Sequence, residues 1–393
     1  NPLKMDLSYD ALQISNPWFN QEYRIAQSKL FIMALRVRKQ FLYENYKNIR
    51  AATEIWIQQS NYTKKKVVIE AAWNWINMTI PVISSTFSSF GSMCRYLNEN
   101  TLGHLFIDEA GQASPQAGVG AIFRSKYVMA VGDPAQIKPV VTIGAKGMNV
   151  LKEHFGVSEK YLSDSASIQV FVDAVSKFGY YRDKDKAEDS WIGIPLWVHR
   201  RCLNPMFTIS NRISYQGLMV QGMDGNGKTG WYDIKGNASG KYVAEQGEFL
   251  VQKIKKMIEE NPDINDRSKK DVIYVITPFT DVAYELSRKL KKIGFTRYSE
   301  KKKITNIGTI HTFQGKEAPI VFLVLGADRN SKGAAEWAVR ESNLINVAAT
   351  RAKKEFYIIG DKELYLGTGS TSIRETYNVI QEYKQEHPEN VFE

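Results

Sequence analysis

Short apolar runs alternate with polar, turn-rich stretches from about residue 80 to about residue 361. In this pattern the apolar runs predict buried strands, and the amphipathic stretches between them predict helices. The predicted helices include residues 247–260 and 283–293. Strands that alternate with helices indicate an α/β fold with parallel sheets. The predicted strands are residues 81–85, 105–107, 127–131, 192–198, 272–276, 307–310, 320–325 and 356–359.

The first 78 residues follow a different pattern, with apolar side chains at helical spacing and lysines and arginines between them. This pattern predicts helices at residues 22–49 and 67–77. A charged, turn-rich segment at residues 180–190 is the candidate linker between two α/β domains. The sequence therefore predicts three parts: a helical segment at 1–78, a first α/β domain at 79–185 and a second at 186–393.

Composition narrows the class of protein. The chain has 393 residues, 43% of them hydrophobic, and a formal net charge of +10, which suits a polyanionic partner without identifying one. Cys94 and Cys202 are far apart and lack CxxC spacing, which argues against a disulfide framework or a zinc site and favours a cytoplasmic location. The chain opens without a signal peptide, and its apolar runs are too short to span a bilayer, so we expect no membrane partner.

Two adjacent carboxylates follow an apolar strand at residues 105–112, which read LFIDEAGQ. Ligands of open α/β sheets bind at the C-terminal ends of the strands. In such a place Asp108 is a candidate ligand for Mg²⁺, and Glu109 is a candidate to polarise an attacking water. The structural alternative is an acidic turn that merely ends a strand.

A second polar turn, GDPAQ at residues 132–136, follows the next predicted strand. A glutamine at a strand end can reach a γ-phosphate or the water that attacks it, so Gln136 is a candidate catalytic residue. A GDP turn alone is a common loop. Its place one strand–helix unit after a carboxylate pair makes the signal more specific.

These two turns resemble motifs II and III of superfamily 1 helicases, and further motifs of that family follow in the family's order. The most similar subgroup contains the eukaryotic nonsense-mediated-decay helicase and its bacterial relatives. The resemblance covers roughly residues 79–361. The later segments that carry it are LWVHRRC at 196–202 with Asn211 and Tyr215, TPF at 277–279, GTIHTFQGKE at 308–317 and NVAATRA at 346–352.

The resemblance implies two RecA-like parallel-sheet domains, the first of them incomplete, with an N-terminal helical insertion and with ATP and Mg²⁺ bound between the domains. Arg201 and Arg351 would touch the γ-phosphate, since a guanidinium group stabilises charge on the transferring phosphoryl oxygens. Glu317 would meet the ribose, and Gly315 and Gln112 are further candidate nucleotide contacts. The residues with implied catalytic roles are Asp108, Glu109, Gln136, Arg201 and Arg351.

The candidate contacts to nucleic acid are Thr86, Thr277, Thr309 and His311. Hydroxyls and backbone amides at loop tips suit phosphates and sugars, which position a strand without reading its sequence. The structural alternative is that these threonines cap helices or complete turns. The implied function is an ATP-dependent helicase or translocase on single-stranded DNA or RNA, moving 5′ to 3′ as is typical of the subgroup.

A phosphate-binding loop of the form GxxxxGK[ST] is absent upstream of Asp108, yet residues 222–229 (GMDGNGKT) match that pattern downstream. A phosphate-binding loop joins a buried strand to a helix, whereas here a strand is predicted to follow at residues 231–234. We therefore interpret residues 222–229 as a glycine-rich hairpin or surface loop.

On this interpretation the true loop lies upstream, and the chain is a C-terminal fragment that is inactive alone. Protein partners could then bind through further N-terminal regions. A second hypothesis is a nucleic-acid- or protein-binding module without ATP turnover. A third, a kinase or GTPase built on Lys228, lacks a second motif set around that loop.

Overall fold

The computed structural model describes residues 7–15, 20–133, 135–136, 138–139, 141, 143–158, 161–163, 166–181, 191–313 and 315–393. The chain divides into two compact units. Unit 1 comprises Asn1–Leu7, Ser15–Pro134 and Lys138–Pro195, and unit 2 comprises Ser8–Ile14, Ala135–Ile137 and Leu196–Glu393. The three-part division made from the sequence stays a prediction, and most of the predicted linker at residues 180–190 lies outside the described residues.

Helices make up the first part of the chain. They are α1 (Tyr9–Ile14), which clusters with unit 2, and α2 (Gln21–Glu44), α3 (Tyr46–Ile57), α4 (Lys66–Thr79) and α5 (Phe87–Met93) of unit 1. Ile69 and Trp73 of α4 pack with Cys94 and Leu97 in a small core. No described helix is long and apolar enough to cross a membrane.

The rest of unit 1 contains a two-stranded parallel sheet. One face of this sheet packs on Ile168, whereas the other face leaves Phe106, Tyr127 and Met129 more than half exposed. The elements are β1 (Leu102–Asp108), α6 (Pro115–Phe123), β2 (Ser125–Val131), α7 (Ala145–Phe155), α8 (Ile168–Asp173) and the antiparallel pair β3 (Gly179–Tyr181) and β4 (Trp191–Gly193).

Unit 2 contains a parallel sheet of six strands in the order β11–β10–β12–β13–β7–β14 within its described residues. Two small pairs accompany it, β5 with β6 and β8 with β9. The strands are β5 (Val198–His199), β6 (Val220–Gln221), β7 (Lys228–Asp233), β8 (Ala238–Ser239), β9 (Tyr242–Val243), β10 (Ile273–Thr277), β11 (Ile307–Thr309), β12 (Ala318–Val324), β13 (Ala352–Gly360) and β14 (Val391–Phe392).

Seven helices accompany this sheet in the described residues. They are α9 (Met206–Ser214), α10 (Ala244–Glu260), α11 (Thr280–Lys292), α12 (Lys332–Val339), α13 (Asn343–Arg351), α14 (Lys362–Leu366) and α15 (Thr371–Glu386). The central strands β10 and β12 are almost wholly apolar and buried, as expected of parallel strands covered on both faces. The predicted α/β class with a parallel sheet and a helical N-terminal region is confirmed.

Three sequence predictions of local structure are wrong. The helix predicted at 22–49 is interrupted at Asn45, whose backbone N–H and side-chain amide both donate to the carbonyl of Phe41. Residues 81–85 are not a strand. The strand predicted at 192–198 is two short strands, β4 and β5, with Pro195 between them, because proline has no N–H to donate to a ladder.

Candidate functional site

The carboxylate pair lies where β1 ends. Glu109 adopts a left-handed conformation with φ 55°, which is uncommon for a residue other than glycine and turns the chain sharply after Asp108. The backbone N–H of Glu109 donates to Oδ1 of Asp108 at 3.0 Å. Nε2 of Gln112 donates to Oε2 of Glu109 at 2.8 Å, so Gln112 orients the second carboxylate. Asp108 is exposed and Glu109 is partly exposed.

The end of β2 packs directly against this turn. A Cβ atom added to Gly132 would lie 2.6 Å from the backbone nitrogen of Gly111 and 2.9 Å from that of Ala110. The glycine is therefore needed for close approach of the two strand ends, and the sequence predictions at residues 108–112 and 132–133 fall in one place. The same Cβ would lie 3.0 Å from Oε1 of Gln169, a residue that sequence reasoning missed.

Gln169 lies on α8 and is buried. Its Nε2 donates to Oδ1 of Asp173 at 2.9 Å, and the same oxygen accepts the backbone N–H of Gly193 at 3.0 Å. Burial raises the pKa of Asp173, which these two hydrogen bonds oppose. The backbone N–H of Ile168 donates to the carbonyl of Ala113 at 2.9 Å, so α8 supports the motif II turn from behind. The sequence carries no motif that marks these residues.

In unit 2, Arg351 and Gln136 meet. Arg351 ends α13, is only 2% exposed, and its Nη2 donates to Oε1 of Gln136 at 2.8 Å. Its Nη1 donates to the carbonyl of Lys316 at 3.1 Å. Two neutral oxygens thus fix the guanidinium plane.

Asn346, five residues before Arg351 on α13, holds the segment that carries Gln136. Its Nδ2 donates to the carbonyl of Ala135 at 3.1 Å and to Oη of Tyr215 at 3.2 Å. Its Oδ1 accepts from the Ser210 hydroxyl at 2.7 Å. The asparagine is fully buried, so these bonds satisfy a side chain that would otherwise be costly to bury.

A second charged cluster surrounds Glu317. Nε of Arg201 lies 3.3 Å from Oε2 of Glu317, and the ammonium of Lys353 contacts Oε1. The hydrogen bond from Lys353, with the positive charges of Lys353 and Arg201, lowers the pKa of Glu317. All three side chains are about 40% exposed. Lys353 was missed by sequence reasoning, although it stands only two residues after Arg351.

Gly315 and Cys202 lie next to these clusters in the sequence. Gly315 is exposed and adopts φ +66°, a left-handed conformation that favours glycine.

Cys202 is fully buried, and burial raises the pKa of its thiol to about 12. A thiol in this state is inert, which supports a packing role for Cys202.

Three of the four nucleic-acid candidates lie together in unit 2. Thr277 and Thr309 face each other across the ends of β10 and β11, and the exposed His311 follows in a 3₁₀ turn. Thr277 is fully buried, whereas Thr309 is partly exposed. Thr86 lies in unit 1, where its hydroxyl accepts the backbone N–H of Ser89 at 3.2 Å as the N-cap of α5. For Thr86 the geometry matches the capping alternative.

The glycine-rich segment at residues 222–229 does not have the form of a phosphate-binding loop. It follows the short strand β6 and leads into β7, so no helix begins after it. Lys228 is the first residue of β7, and its Nζ lies 3.9 Å from Oε1 of Glu355 on the neighbouring strand. A Cβ on Gly227 would lie 2.4 Å from the carbonyl oxygen of Lys354, so the backbone packs directly on β13.

Each unit, taken by itself, holds residues that suit one part of a magnesium nucleotide. An exposed aspartate suits Mg²⁺, which is usually held by one or two carboxylates together with substrate phosphates and waters. No cluster of three or more metal-binding side chains is found in the part of the chain that the structure describes. The buried Arg351 and the amide of Gln136 suit a terminal phosphate. The cradle of backbone amides that holds the inner phosphates is not provided by residues 222–229.

Comparisons with known proteins agree with these motifs. Residues 213–363 match a family described as an AAA domain. Over 332 residues the chain is 27% identical to helicase sen1 of Schizosaccharomyces pombe, covering 81% of this chain and 18% of that protein. Over 324 residues it is 23% identical to an uncharacterized ATP-dependent helicase of Methanocaldococcus jannaschii, covering 79% and 44%. The chain thus spans less than half the length of either relative.

Two of the solved structures that match the chain are of viral helicases. The structure of arterivirus nonstructural protein 10 (helicase) is 15% identical with a TM-score of 0.32, and the match covers 67% of this chain and 40% of that one. The structure of the PRRSV helicase is 13% identical with a TM-score of 0.30, and the match covers 65% and 34%.

Proposed function

We propose that this chain forms the C-terminal motor portion of an ATP-dependent translocase on single-stranded nucleic acid. The premise is that the chain belongs to the superfamily 1 helicases, in the group of helicase sen1. The observation that carries the proposal is the hydrogen bond between the buried Arg351 and Gln136. A buried arginine held by neutral oxygens is suited to meet an anion, and two separate motifs of the sequence supply the pair.

In this proposal Arg351 and Arg201 stabilise the charge on the phosphoryl group that is transferred. Arg351 is fixed by Gln136 and by the carbonyl of Lys316. Arg201 is held by Glu317, which also binds Lys353. The carboxylate of Glu317 is thereby kept ionised and close to two cations, and we assign it the additional task of positioning Arg201.

Asp108 and Glu109 of unit 1 would act on the metal ion and on the attacking water. When bound, ATP with Mg²⁺ supplies the phosphoryl group and neutralises its developing charge. Asp108 is the residue that would hold the metal. Glu109, whose second oxygen is oriented by Gln112, would accept a proton from the attacking water.

The strand ends near Thr309 and His311 are the proposed contact to nucleic acid. Thr309 is partly exposed and His311 is exposed, so both side chains can reach a sugar or phosphate. Neither type of side chain at a strand end selects DNA over RNA. In keeping with the subgroup, we propose movement from 5′ to 3′.

The open face of the β1–β2 sheet supports the proposal that unit 1 is completed by further sequence. Phe106 is 69% exposed, Tyr127 65% and Met129 57%. Parallel strands are normally covered on both faces, and a sheet of two strands is marginal alone. We propose that an upstream segment carrying the phosphate-binding loop packs on this face, and that the 393-residue chain alone does not turn over ATP.

The test uses the protein extended upstream to include a phosphate-binding loop. We expect ATP hydrolysis that single-stranded DNA or RNA stimulates, and we expect Glu109→Gln and Arg351→Gln each to reduce it by about 100-fold or more. Duplexes with a 5′ or a 3′ single-stranded tail report the direction of movement. Stimulated hydrolysis that survives Glu109→Gln would refute the assignment of the catalytic carboxylate.

The second candidate function is a binding module without ATP turnover. The phosphate-binding loop is not found in the sequence upstream of Asp108, and one face of the β1–β2 sheet is open. Both observations favour a binding role for the isolated chain. Binding of single-stranded nucleic acid by the extended protein, with no hydrolysis under any condition, would favour this candidate over the motor.

A further inference from the structure

Unit 2 presents a basic surface that runs along α11 to the hairpin before β11, the strand whose other end carries Thr309. The surface consists of the exposed stripe of α11 and the hairpin that follows it. Its residues are Tyr284, Arg288, Lys291 and Lys292 of α11, and Tyr298, Lys301, Lys302 and Lys303 of the hairpin.

The α11 stripe follows from helix geometry. Tyr284, Arg288, Lys291 and Lys292 recur at spacings of four, seven and eight residues, and all four side chains are exposed. The opposite side of the helix buries Val282, Leu286 and Leu290 in the core of unit 2. The helix thus directs its apolar side inward and a tyrosine with three cations outward, and one of these cations, Arg288, pairs with Glu285 at 2.8 Å.

The hairpin is a rigid support for the three consecutive lysines. The backbone N–H of Ser299 donates to the carbonyl of Lys303, and that of Lys302 donates to the carbonyl of Ser299, each at 2.8 Å. Lys302 adopts φ +56°, which closes the turn at its tip. Tyr298 and Ile304 form an antiparallel bridge at the base.

Two residues anchor the base of the hairpin to unit 2. Arg297 donates to the carbonyls of Asp266 and Lys269, each at 2.9 Å, and its Nε lies 3.2 Å from Oδ1 of Asp271. Asn306, 1% exposed, accepts the backbone N–H of Arg297 at 2.9 Å. These bonds hold the backbone that carries the three lysines, which lowers the backbone entropy that binding must remove.

One carboxylate, Glu300, stands in the hairpin beside the three lysines, but the lysines form no ion pair within the described part of the chain. Among the described residues, no carboxylate oxygen lies within 4.0 Å of the ammonium groups of Lys301, Lys302 or Lys303. By contrast, Lys269 on the adjoining loop pairs with Asp263 at 2.7 Å. Concentrated like charges repel one another, and a polyanion relieves that repulsion.

The chemistry favours nucleic acid as the polyanion. Lysines neutralise successive phosphates, and an exposed aromatic ring beside them gives a base a surface to stack on. Tyr298 is 50% exposed and Tyr284 is 65% exposed, one in each part of the surface. An acidic peptide would use the lysines but not the two aromatic faces.

We infer that the basic surface is a second nucleic-acid contact, which binds the sugar–phosphate backbone of a segment beyond the strand held near Thr309. This inference rests on the proposed function. The strand β10 separates the two ends of the sheet by five residues, or roughly 17 Å at 3.3 Å per residue. A long nucleic acid can therefore reach both ends, and a short one only one of them.

The experiment measures binding of the 393-residue chain to labelled single-stranded DNA and RNA by fluorescence anisotropy over a range of salt concentrations. Oligonucleotides of about 10 and about 40 nucleotides are compared, since binding sites of single domains span roughly 4–16 nucleotides. The test variant is Lys301→Gln/Lys302→Gln/Lys303→Gln. The matched control is Lys64→Gln/Lys65→Gln/Lys66→Gln, which removes the same three charges from another exposed lysine triplet.

We expect the hairpin variant to bind the long oligonucleotide about 10-fold or more weakly than the wild type, with a salt slope lower by about 2, because each phosphate contact on a single strand contributes about 0.7. Binding of the short oligonucleotide and of the control variant changes less than about threefold. Tyr298→Leu, which keeps the apolar volume and removes the ring, weakens binding without changing the salt slope.

Equal losses in the hairpin and control variants would show that net charge alone binds nucleic acid, and would overturn the inference. A hairpin variant that binds like the wild type would overturn it as well. A wild-type chain that binds neither DNA nor RNA would instead refute the proposed function, so the two failures are distinct. Circular dichroism of each variant excludes misfolding as a cause.

Discussion

Replacing Gly132 by alanine is the sharpest perturbation of the motif II turn. The new Cβ would lie 2.6 Å from the backbone nitrogen of Gly111, whereas ordinary contacts begin at 3.4 Å. The turn or the strand end must therefore move by about 0.8 Å, the difference of these two distances. The obstructing atoms are backbone, so no side-chain rotation relieves the contact.

The expected cost follows from overpacking, which typically destabilises by about 1–3 kcal/mol. For a unit of this size, about 2 kcal/mol lowers the midpoint of thermal unfolding by roughly 4–8 °C. Gly103→Ala is the matched control in the same sheet, since nothing lies within 4 Å of a Cβ at that position. We expect the control to be neutral or stabilised by up to about 1 kcal/mol.

The assay is thermal and urea unfolding of both variants, followed by tryptophan fluorescence. In the extended protein, the same displacement moves Asp108 and Glu109, and we expect hydrolysis to fall by about 100-fold, as a misplacement near 1 Å does elsewhere. If Gly132→Ala unfolds at the same temperature as Gly103→Ala, the close packing of the two strand ends is refuted.

Three further predictions concern titration and the glycine-rich loop. Burial raises the pKa of Cys202 to about 12 and of Cys94 to about 11. At about pH 8 we therefore expect neither thiol of the folded chain to react with a disulfide reagent, and both to react in denaturant. Rapid labelling of Cys202 in the folded chain would contradict its burial. The pKa of Glu317 is lowered, so the stability its ion pairs add is present above the unfolded pKa and lost as the pH falls through the folded pKa. Glu317→Gln should therefore cost less than about 1 kcal/mol at neutral pH, because the pairs are exposed, and the difference should vanish in acid; urea titrations across pH test this. Lys228→Ala should change stability by less than about 0.5 kcal/mol in the same titration, and a loss of several kcal/mol would show that its weak pair with Glu355 is misjudged.

Much of the fold follows from local sequence because buried parallel strands are apolar throughout. Strands β10 and β12 and the second half of β13 therefore stand out from their surroundings. Residues 81–83 are apolar as well, yet the strand predicted at 81–85 does not form, since pairing depends on partners elsewhere in the chain. The break at Asn45 is equally invisible to periodicity, because it depends on a side-chain bond to one carbonyl.

Part of the candidate site could likewise be predicted from the sequence, and part could not. The motif turns at Asp108 and Gln136 are marked by residue types that strand ends rarely combine. Lys353 and Gln169 are ordinary residues in ordinary places, and only the packed structure brings them to Glu317 and to the motif II turn. Long-range contacts of this kind have no local signature.

The most direct test of the central claim is ATP hydrolysis by the 393-residue chain, with and without single-stranded nucleic acid, alongside Lys228→Ala and Glu109→Gln. We expect no turnover above background in any of the three, and recovery of stimulated turnover once the upstream sequence is joined. Stimulated turnover by the chain alone that both substitutions abolish would contradict the proposed function, because residues 222–229 would then act as the phosphate-binding loop.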